Sequence, residues 1–302
     1  MNYLITMAHG ADCFRQEAVY ALLSARLRST VPATALVVTD QPEFFARYLG
    51  DGADLRCLAV DRARLDAWRG GPQGYLHRIK PQAIAHAARS VGPQPGDNFL
   101  FVDSDTFFLT DPAPLFERLA AGEVLLNEPE GGLYAIRRQT RSHARLCKAA
   151  RRHAFDVGGE AVRLPMDLTL WNSGVIGLCA RLLPVLDDTI ALIDAMWPVV
   201  PIPTVEQVAL SAVLARRGIR PAATTHAILH YHNFKEFRAD LALFFARHDG
   251  LPPGAWVALL HEVDPAVRIQ PKLAFNRLPK WWRQLRKAVG RPWRPLPYPW
   301  AS

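Results

Sequence analysis

Two aspartates separated by one residue follow the most hydrophobic strand candidate of the chain. Residues 99–102 are apolar, and Asp103 and Asp105 come directly after them. Alternate side chains of an extended backbone point the same way, so the two carboxylates can converge. Converging carboxylates at a strand end suit Mg²⁺ or Mn²⁺, whose open coordination positions accept phosphate oxygens. Ser104, between them, is a further candidate for ligand binding, and a solvated turn is the alternative interpretation of the pattern.

Basic residues that can bind phosphate precede this strand. Arg78 and Lys80 introduce a helix predicted over residues 82–89. Arginine binds a diphosphate through its planar fork and lysine as a point charge. No glycine-rich phosphate loop follows the first strand, which disfavours a P-loop NTPase and a dinucleotide-binding enzyme. Metal and basic side chains would therefore have to neutralise a bound phosphate, although both residues can equally be solvated.

Polar residues also begin two later apolar stretches. In WNSGVIGL, Asn172 and Ser173 precede a strand candidate and can bind sugar hydroxyls. Farther on, Thr204 is a candidate N-cap, and Glu206 and Gln207 fall in the first turn of a helix predicted to end at residue 216, where the macrodipole favours an acid. A plain turn and a purely structural glutamate are the alternatives.

The last such stretch is ILHYHNFK. His230 and His232 occupy alternate positions, so one imidazole can point at a metal, and Lys235 can meet a phosphate. A histidine on an apolar strand is also common as a core residue with satisfied hydrogen bonds.

Strands and helices alternate along the first half of the chain, which predicts parallel pairing with right-handed crossovers. Strands are predicted at residues 3–7, 35–39, 55–60, 99–102, 124–127 and 133–136, and helices at 14–27, 43–49, 82–89, 112–121 and, strongly basic, 137–152.

The composition is that of an ordinary globular protein. The chain has 302 residues, half of them hydrophobic, and no apolar run approaches the ~18 residues of a membrane span. Its first residues lack the basic and apolar segments of a signal peptide. Its four cysteines are scattered without a C-x-x-C pair, which suits a reducing compartment. We therefore expect a cytoplasmic protein.

Taken in order, the four polar stretches resemble those of the GT-A glycosyltransferases, most closely glycosyltransferase family 8, over residues 3–236. The resemblance implies an α/β fold with a Rossmann-like, mixed, mainly parallel sheet flanked by helices, and a nucleotide-diphospho-sugar transferase domain over residues 1–264. It implies that Asp103, Asp105 and His230 bind Mn²⁺ or Mg²⁺, that Asn172 lies at the sugar and that Lys235 contacts phosphate.

The implied function is a metal-dependent, retaining transfer of a sugar from a nucleotide-diphosphate donor to a glycan or lipid-linked acceptor. Glu206, Gln207 and Asn172 are the candidate catalytic residues, and Asp167 is a further candidate base. The chain has Val208 where the family commonly has a second acid. A non-catalytic GT-A-like protein that binds nucleotide sugars or glycans is therefore the alternative, and a nucleotidyltransferase, which usually has a glycine-rich loop, is a weaker one.

The carboxyl-terminal residues 265–302 differ in kind from the rest. They contain nine Lys or Arg, no Asp or Glu, and several tryptophans, with prolines from Pro292 onward that prevent a helix. Basic and aromatic residues together suit an anionic membrane surface, so contact with the inner face of a membrane is one expectation. The alternative is that the tail wraps over the domain. Nucleic acid is not an expected partner because no known binding motif accompanies the charge.

Overall fold

A computed structural model describes residues 1–71 and 73–298. Its strands are β1 (Asn2–Ala8), β2 (Thr34–Thr39), β3 (Leu55–Ala59), β4 (Asn98–Val102), β5 (Thr106–Phe108), β6 (Leu125–Leu126), β7 (Pro129–Gly132), β8 (Phe155–Val157), β9 (Glu160–Val162), β10 (Thr169–Trp171), β11 (Val175–Cys179), β12 (Ala222–Ala223) and β13 (Ile228–His230). Its α-helices are α1 (Asp12–Arg28), α2 (Pro42–Leu49), α3 (Arg62–Arg69), α4 (Ile79–Ser90), α5 (Ala113–Ala120), α6 (Arg141–Arg152), α7 (Pro184–Met196), α8 (Val205–Arg216), α9 (Phe237–Arg247), α10 (Trp256–Leu259), α11 (Pro265–Arg268), α12 (Gln270–Arg277) and α13 (Lys280–Ala288). Short 3₁₀ helices lie at Leu76–Arg78, Ala135–Arg138, Ala180–Leu182, Pro253–Ala255 and Leu260–Glu262.

Seven strands form one sheet in the order β12-β6-β11-β4-β1-β2-β3. β4, β1, β2 and β3 pair in parallel, as do β6 and β12, whereas β11 runs antiparallel to both β4 and β6. Parallel neighbours need a crossover connection, which α1 and α2 provide for the first three strands. The predicted mixed, mainly parallel α/β sheet flanked by helices is confirmed.

The central strand β4 is buried on both faces of the sheet. Phe99 and Phe101 belong to the core that includes residues of α4, α7 and α8, and Leu100 and Val102 belong to the core that includes residues of α1 and α9. Apart from its first residue, Asn98, the strand is apolar, as is typical of strands buried on both faces. The polar groups that follow it therefore appear at the edge of the sheet, where β4 ends.

Most of the predicted elements are confirmed. The strand predictions at residues 3–7, 35–39, 55–60 and 99–102 correspond to β1 to β4, and the helix predictions at 14–27, 43–49, 82–89 and 112–121 correspond to α1, α2, α4 and α5. The strand predicted at 124–127 is the short β6.

Two local predictions are wrong, and a third is correct in position only. The strand expected at residues 133–136 is a turn leading into a 3₁₀ helix, because Leu133 and Ile136 are buried at the three-residue spacing of a helical turn. The basic helix begins only at residue 141, after the side chain of Thr140 caps it. Thr204 occupies the predicted N-cap position of α8, but its side chain makes no capping bond. The hydroxyl of Tyr75 instead accepts from the amide of the first-turn residue Glu206 at 3.1 Å.

The carboxyl-terminal segment packs in part on the rest of the chain. The buried Arg268 pairs with Asp240 of α9 and donates to the carbonyl of Leu296 at 2.9 Å. The prediction that no helix follows Pro292 is confirmed up to residue 298.

Trp300 of the predicted tail lies outside the described residues, and the domain boundary at residue 264 stays a prediction. In the described ranges, no helix combines the length and apolar character needed to cross a bilayer.

A buried arginine joins the loop after β1 to the end of β2. Arg15 of α1 donates to Asp40 at 2.9 Å and to Asp12 at 2.6 Å. Asp40 also accepts from the amide of Gly10 at 2.9 Å. Burial would raise the pKa of Asp40, but the hydrogen bonds from Gly10 and Arg15, together with the charge of Arg15, lower it below its usual value.

We expect Asp40→Asn to destabilise the protein by about 1–3 kcal/mol at pH 7, because Arg15 stays buried and loses a charged partner. The native pKa of Asp40 lies below the unfolded one, so its contribution is present above about pH 4 and is lost as pH falls through the native pKa. The urea midpoints of variant and wild type should therefore converge in acid. Asp51→Asn, on an exposed loop, is the control, and a difference that stays constant from pH 7 to pH 3 contradicts the expectation.

Candidate functional site

Asp103, Asp105 and His230 form a cluster that can hold a metal ion. One ligand atom from each lies within 4.8 Å of the others. Nε2 of His230 is 3.7 Å from Oδ2 of Asp103 and 3.3 Å from Oδ1 of Asp105. Two ligands bound at right angles to a small divalent cation, each about 2.1 Å from it, are roughly 3 Å apart. The three side chains are therefore close to the separation that one shared cation requires.

Two strand pairs bring these residues together. Asp103 follows β4, and its amide donates to the carbonyl of Gly174 at 2.8 Å, just before β11. β5 begins directly after Asp105 and pairs antiparallel with β13, with His230 opposite its first residue. The amide of Tyr231 donates to the carbonyl of Asp105 at 3.0 Å and extends that ladder. Residues far apart in sequence thus meet through backbone pairing.

The side chain of Asn172 orients the imidazole of His230. Its Nδ2 donates to Oε1 of Glu130 at 3.0 Å, and its Oδ1 accepts from the amide of Gly174 at 2.9 Å, so only one orientation of the carboxamide satisfies both partners. Oδ1 then lies 3.1 Å from Nδ1 of His230, and this pair is a hydrogen bond when Nδ1 carries the proton. In the neutral imidazole the lone pair of Nε2 therefore faces the carboxylates, which is typical of a metal-binding histidine.

A glycine makes room for this imidazole. A Cβ at position 174 would lie 2.1 Å from Nδ1 of His230 and 2.3 Å from Cε1. The ring is held on one side by Asn172 and on the other by its place in β13, so a larger residue at 174 would displace it. The lack of a side chain at Gly174 therefore allows the imidazole of His230 to lie beside the carboxylates.

Each carboxylate of the cluster pairs with a lysine. Nζ of Lys235 is 2.5 Å from Oδ2 of Asp105, and Nζ of Lys80 is 2.9 Å from Oδ2 of Asp103. Burial would raise the pKa of Asp105, but the hydrogen bond and charge of His230, and then those of Lys235, lower it well below its usual value. The side chain of Lys235 is 50% exposed, whereas Lys80 is buried. Lys235 is therefore the cation with room to turn toward another anion.

Lys80 connects the cluster to a buried network. Its Nζ donates to the carbonyl and to Oγ of Ser173 at 3.1 and 3.2 Å, and Oγ of Ser173 donates to Oε2 of Glu206 at 2.8 Å. Burial lowers the pKa of Lys80, but the charges of Asp103 and Glu206 raise it above its usual value. Burial raises the pKa of Glu206, and Lys80 opposes that rise. The charged Lys80 is thus held between two acids behind the cluster.

The cluster borders an open cleft of about 290 Å³ at the carboxyl ends of β1 and β4. Open α/β sheets bind ligands at this edge. The residues that line it are Met7, Ala8, His9, Phe14, Leu76, His77, Ile79, Lys80, Asp103, Ser104, Asp105, Lys235 and Arg238. A larger groove of about 560 Å³ opens near Met1, Thr34 and Pro112, but its described lining is mostly apolar. We therefore place the chemistry in the smaller cleft.

Three predicted residues, Arg78, Gln207 and Asp167, do not line the cleft and make no side-chain hydrogen bond to the cluster or to the network of Lys80. The guanidinium of Arg78 donates to the carboxylate of Asp194 at 2.6 and 2.8 Å and to the carbonyl of Trp68 at 2.7 Å. Gln207 is half-buried in the first turn of α8, and Asp167 is exposed in the loop before β10.

His232, the other histidine of the same segment, does not join the carboxylates. Its ring packs on that of His230 with 4.7 Å between centroids, and its Nε2 lies 2.6 Å from Nδ2 of Asn233. Burial and then the charge of His230 lower the pKa of His232. Of the two histidines, His230 is the one in ligand position.

Several residues of the site were not predicted from the sequence. Arg238 lines the cleft, and its Nε donates to the fully buried Glu17 at 3.0 Å. Burial raises the pKa of Glu17. Arg238 follows Lys235 by three residues, which is about one helical turn, and this spacing was the available signal. Glu17 and Glu130 lie in segments without a recognisable motif.

No protein-family model matches this chain, and no curated protein matches it. Among solved structures, the chain is similar to the apo crystal structure of mouse xyloside xylosyltransferase 1, with a TM-score of 0.44 and 14% sequence identity, over 74% of this chain and 85% of that one. A functional assignment therefore depends on the residues of the site itself.

We expect Gly174→Ala to lower the affinity for Mn²⁺ by about 10–100-fold, because it displaces the imidazole of His230 from the carboxylates. Isothermal titration calorimetry measures this affinity. Gly96→Ala is the matched control, since a Cβ at Gly96 meets nothing within 4 Å. A folded Gly174→Ala protein with wild-type Mn²⁺ affinity contradicts the expectation.

Proposed function

We propose that the chain is a metal-dependent transferase whose cleft binds a nucleoside diphosphate donor. The observation that carries this proposal is the convergence of Asp103, Asp105 and His230 beside Lys235 at the ligand-binding edge of the sheet. Within this class we propose a glycosyltransferase that moves a sugar from a nucleotide-diphospho-sugar to a glycan or lipid-linked acceptor. The order of the four polar stretches supports this choice, and their resemblance to a retaining family implies retention of configuration.

The donor set of the cluster fits a divalent cation. Two carboxylates suit Mg²⁺ and Mn²⁺ alike, and an imidazole nitrogen favours an ion with more transition-metal character, so Mn²⁺ fits this mixed set better. Asn172 fixes the ring in the ligating orientation, and Gly174 leaves space for it. When bound, the cation would neutralise charge on the diphosphate.

The basic residues of the cleft would stabilise the departing nucleoside diphosphate. In the absence of donor, Lys235 pairs with Asp105, and its half-exposed ammonium can turn to a phosphate oxygen. Arg238 of α9, three residues after Lys235, lines the same cleft and offers a second positive charge. Both would stabilise the negative charge that develops on the β-phosphate as its bond to the sugar breaks. The apolar side chains of Met7, Phe14 and Leu76 provide a surface for the nucleoside.

Two residues predicted to be catalytic have positioning roles in this proposal. The carboxamide of Asn172 already bonds to Glu130 and His230, so it acts through the imidazole. Glu206 is buried behind Ser173 and acts through Lys80, which in turn holds Asp103. Neither residue needs to touch the sugar to influence the reaction.

A protein that binds nucleotide sugars without transferring them is the second candidate. It is favoured by Val208, which is fully buried in the core where the family commonly has an acid. Binding would be common to both candidates, and only turnover would separate them.

We expect one nucleoside diphosphate to raise the thermal midpoint of the protein, because a ligand that binds only the native state stabilises it by mass action. The rise should require Mn²⁺ and should be lost in Asp105→Asn. Differential scanning fluorimetry with a panel of nucleoside diphosphates and their sugars, with and without Mn²⁺, measures it. Asp51→Asn is the control, and the absence of any Mn²⁺-dependent shift with every nucleotide contradicts the proposal. Release of nucleoside diphosphate from the sugar that binds distinguishes the enzyme from the binding protein.

We expect Lys235→Met to change metal and nucleotide binding in opposite directions. Removal of its ammonium frees Asp105 for Mn²⁺, so Mn²⁺ alone should bind at least as tightly as in the wild type. The nucleoside diphosphate should bind about tenfold or more weakly, because a charged hydrogen bond to phosphate is lost. Calorimetric titration of each ligand tests this, with Lys148→Met on the exposed face of α6 as control. A parallel loss of both affinities would show that Lys235 only supports the local fold.

A further inference from the structure

The last helix of the chain, α13, exposes large apolar side chains on one side. Trp281, Trp282, Leu285 and Val289, which directly follows the helix, are 64%, 39%, 46% and 59% exposed. With 3.6 residues per turn, these four positions fall within an arc of about 100°. They form a continuous apolar stripe that faces solvent.

The opposite side of α13 is basic and faces the protein. Arg283 and Arg286 are among its least exposed residues, and the guanidinium of Arg286 lies 5.7 Å from the ring centre of Phe275 in α12. A groove lined by Arg283, Glu236 and Trp293 separates this side from the rest of the chain. A surface helix of a water-soluble domain has the reverse arrangement, with its apolar stripe toward the core. Packing against the described residues therefore does not explain the stripe of α13.

The surrounding charge is strongly positive. Residues 265–302 contain nine Lys or Arg and no Asp or Glu. Two of these cations are used internally, since Arg268 pairs with Asp240 and Lys272 with Glu236. No acidic side chain of the described residues lies within ion-pair distance of the other seven. An exposed apolar stripe is thus flanked by uncompensated positive charge.

We infer that α13 docks on the surface of an anionic lipid bilayer. The apolar stripe would enter the boundary between headgroups and acyl chains, where tryptophan is favoured. The exposed side chains of Lys280 and Lys287 would reach the anionic headgroups, as lysine does at such interfaces, whereas Arg283 and Arg286 stay against the protein. This docking does not depend on the proposed transferase activity.

The structure links the docked helix to the cleft. Lys272 of α12 donates to the carbonyl of Asn233, and the ring of Trp293 packs on Phe234 with 6.0 Å between centroids. These contacts brace the segment that ends in Lys235. Docking through α13 would therefore be coupled to the loop of the candidate site through α12 and Trp293.

Nucleic acid and a second protein are the competing occupants. Phosphate backbones are bound by cations that project outward, whereas α13 projects tryptophan and leucine and turns two arginines inward. A protein partner would suit the apolar stripe but not the excess of positive charge, because the central parts of protein interfaces are depleted of charged residues. The combination of both features favours a membrane.

The experiment is flotation of the full chain with vesicles of phosphatidylcholine alone and of phosphatidylcholine with 30% phosphatidylglycerol, without metal or nucleotide. We expect binding to the anionic vesicles, weakening as salt rises, and little binding to the neutral ones. The double variant Trp281→Ser/Trp282→Ser should bind at least about tenfold more weakly, because it removes most of the apolar area of the stripe. Lys280→Glu/Lys287→Glu should weaken binding to the anionic vesicles by a similar factor.

Val199→Ser/Leu243→Ser, which removes exposed apolar side chains elsewhere on the surface, is the matched control and should bind like the wild type. Equal thermal midpoints of all variants would establish that they are folded. Absence of binding to anionic vesicles, or binding unchanged by Trp281→Ser/Trp282→Ser, overturns the inference. So does vesicle-free dimerisation that depends on the two tryptophans, or salt-sensitive binding to an oligonucleotide without vesicle binding. Failure here would leave the nucleotide and metal measurements unaffected.

Discussion

The antiparallel pairing of β5 with β13 is the interaction on which the candidate site depends. It places His230 beside the two aspartates that follow β4, and the hydrogen bond from the amide of Tyr231 to Asp105 extends it. These backbone bonds lie next to side chains that repel one another unless cations separate them. The strand pairing therefore fixes the positions of the three side chains, and their charges determine which ions can bind between them.

The negative charges of the cluster are balanced by two lysines, one of which belongs to a buried network. Asp103 and Asp105 are each paired with a lysine, and Lys80 is in turn held by Ser173 and, through its charge, by Glu206. The two lysines differ in exposure, since Lys80 is buried and Lys235 is not. An interior ion network fixes one half of the site, while the other half is open to solvent and to ligand.

The fold was largely predictable from sequence because alternating apolar segments specify strands and helices locally. Asp103, Asp105 and His230 were also predictable, because each lies at the end of a strand. Arg78 was misleading, since a basic residue at a helix start is equally able to pair with Asp194, which lies far along the chain. Glu130 was missed because its role arises from a tertiary contact with Asn172 that no local pattern encodes, whereas the spacing of Arg238 from Lys235 was a signal that the pattern of motifs did not include. The inward orientation of the arginines of α13 likewise required the packing of α12.

The two lysine–aspartate pairs have a consequence for the order of events at the cleft. Because Lys80 and Lys235 already pair with the carboxylates, these charges have cationic partners before an ion binds, unlike the ligands of small domains whose structure is created by their metal. An incoming cation must instead compete with Lys235 for Asp105, and a diphosphate gives the displaced ammonium a new partner. By thermodynamic linkage, the factor by which the diphosphate raises the affinity for the cation equals the factor by which the cation raises the affinity for the diphosphate. Cation and donor would then bind the cleft cooperatively, each more tightly in the presence of the other.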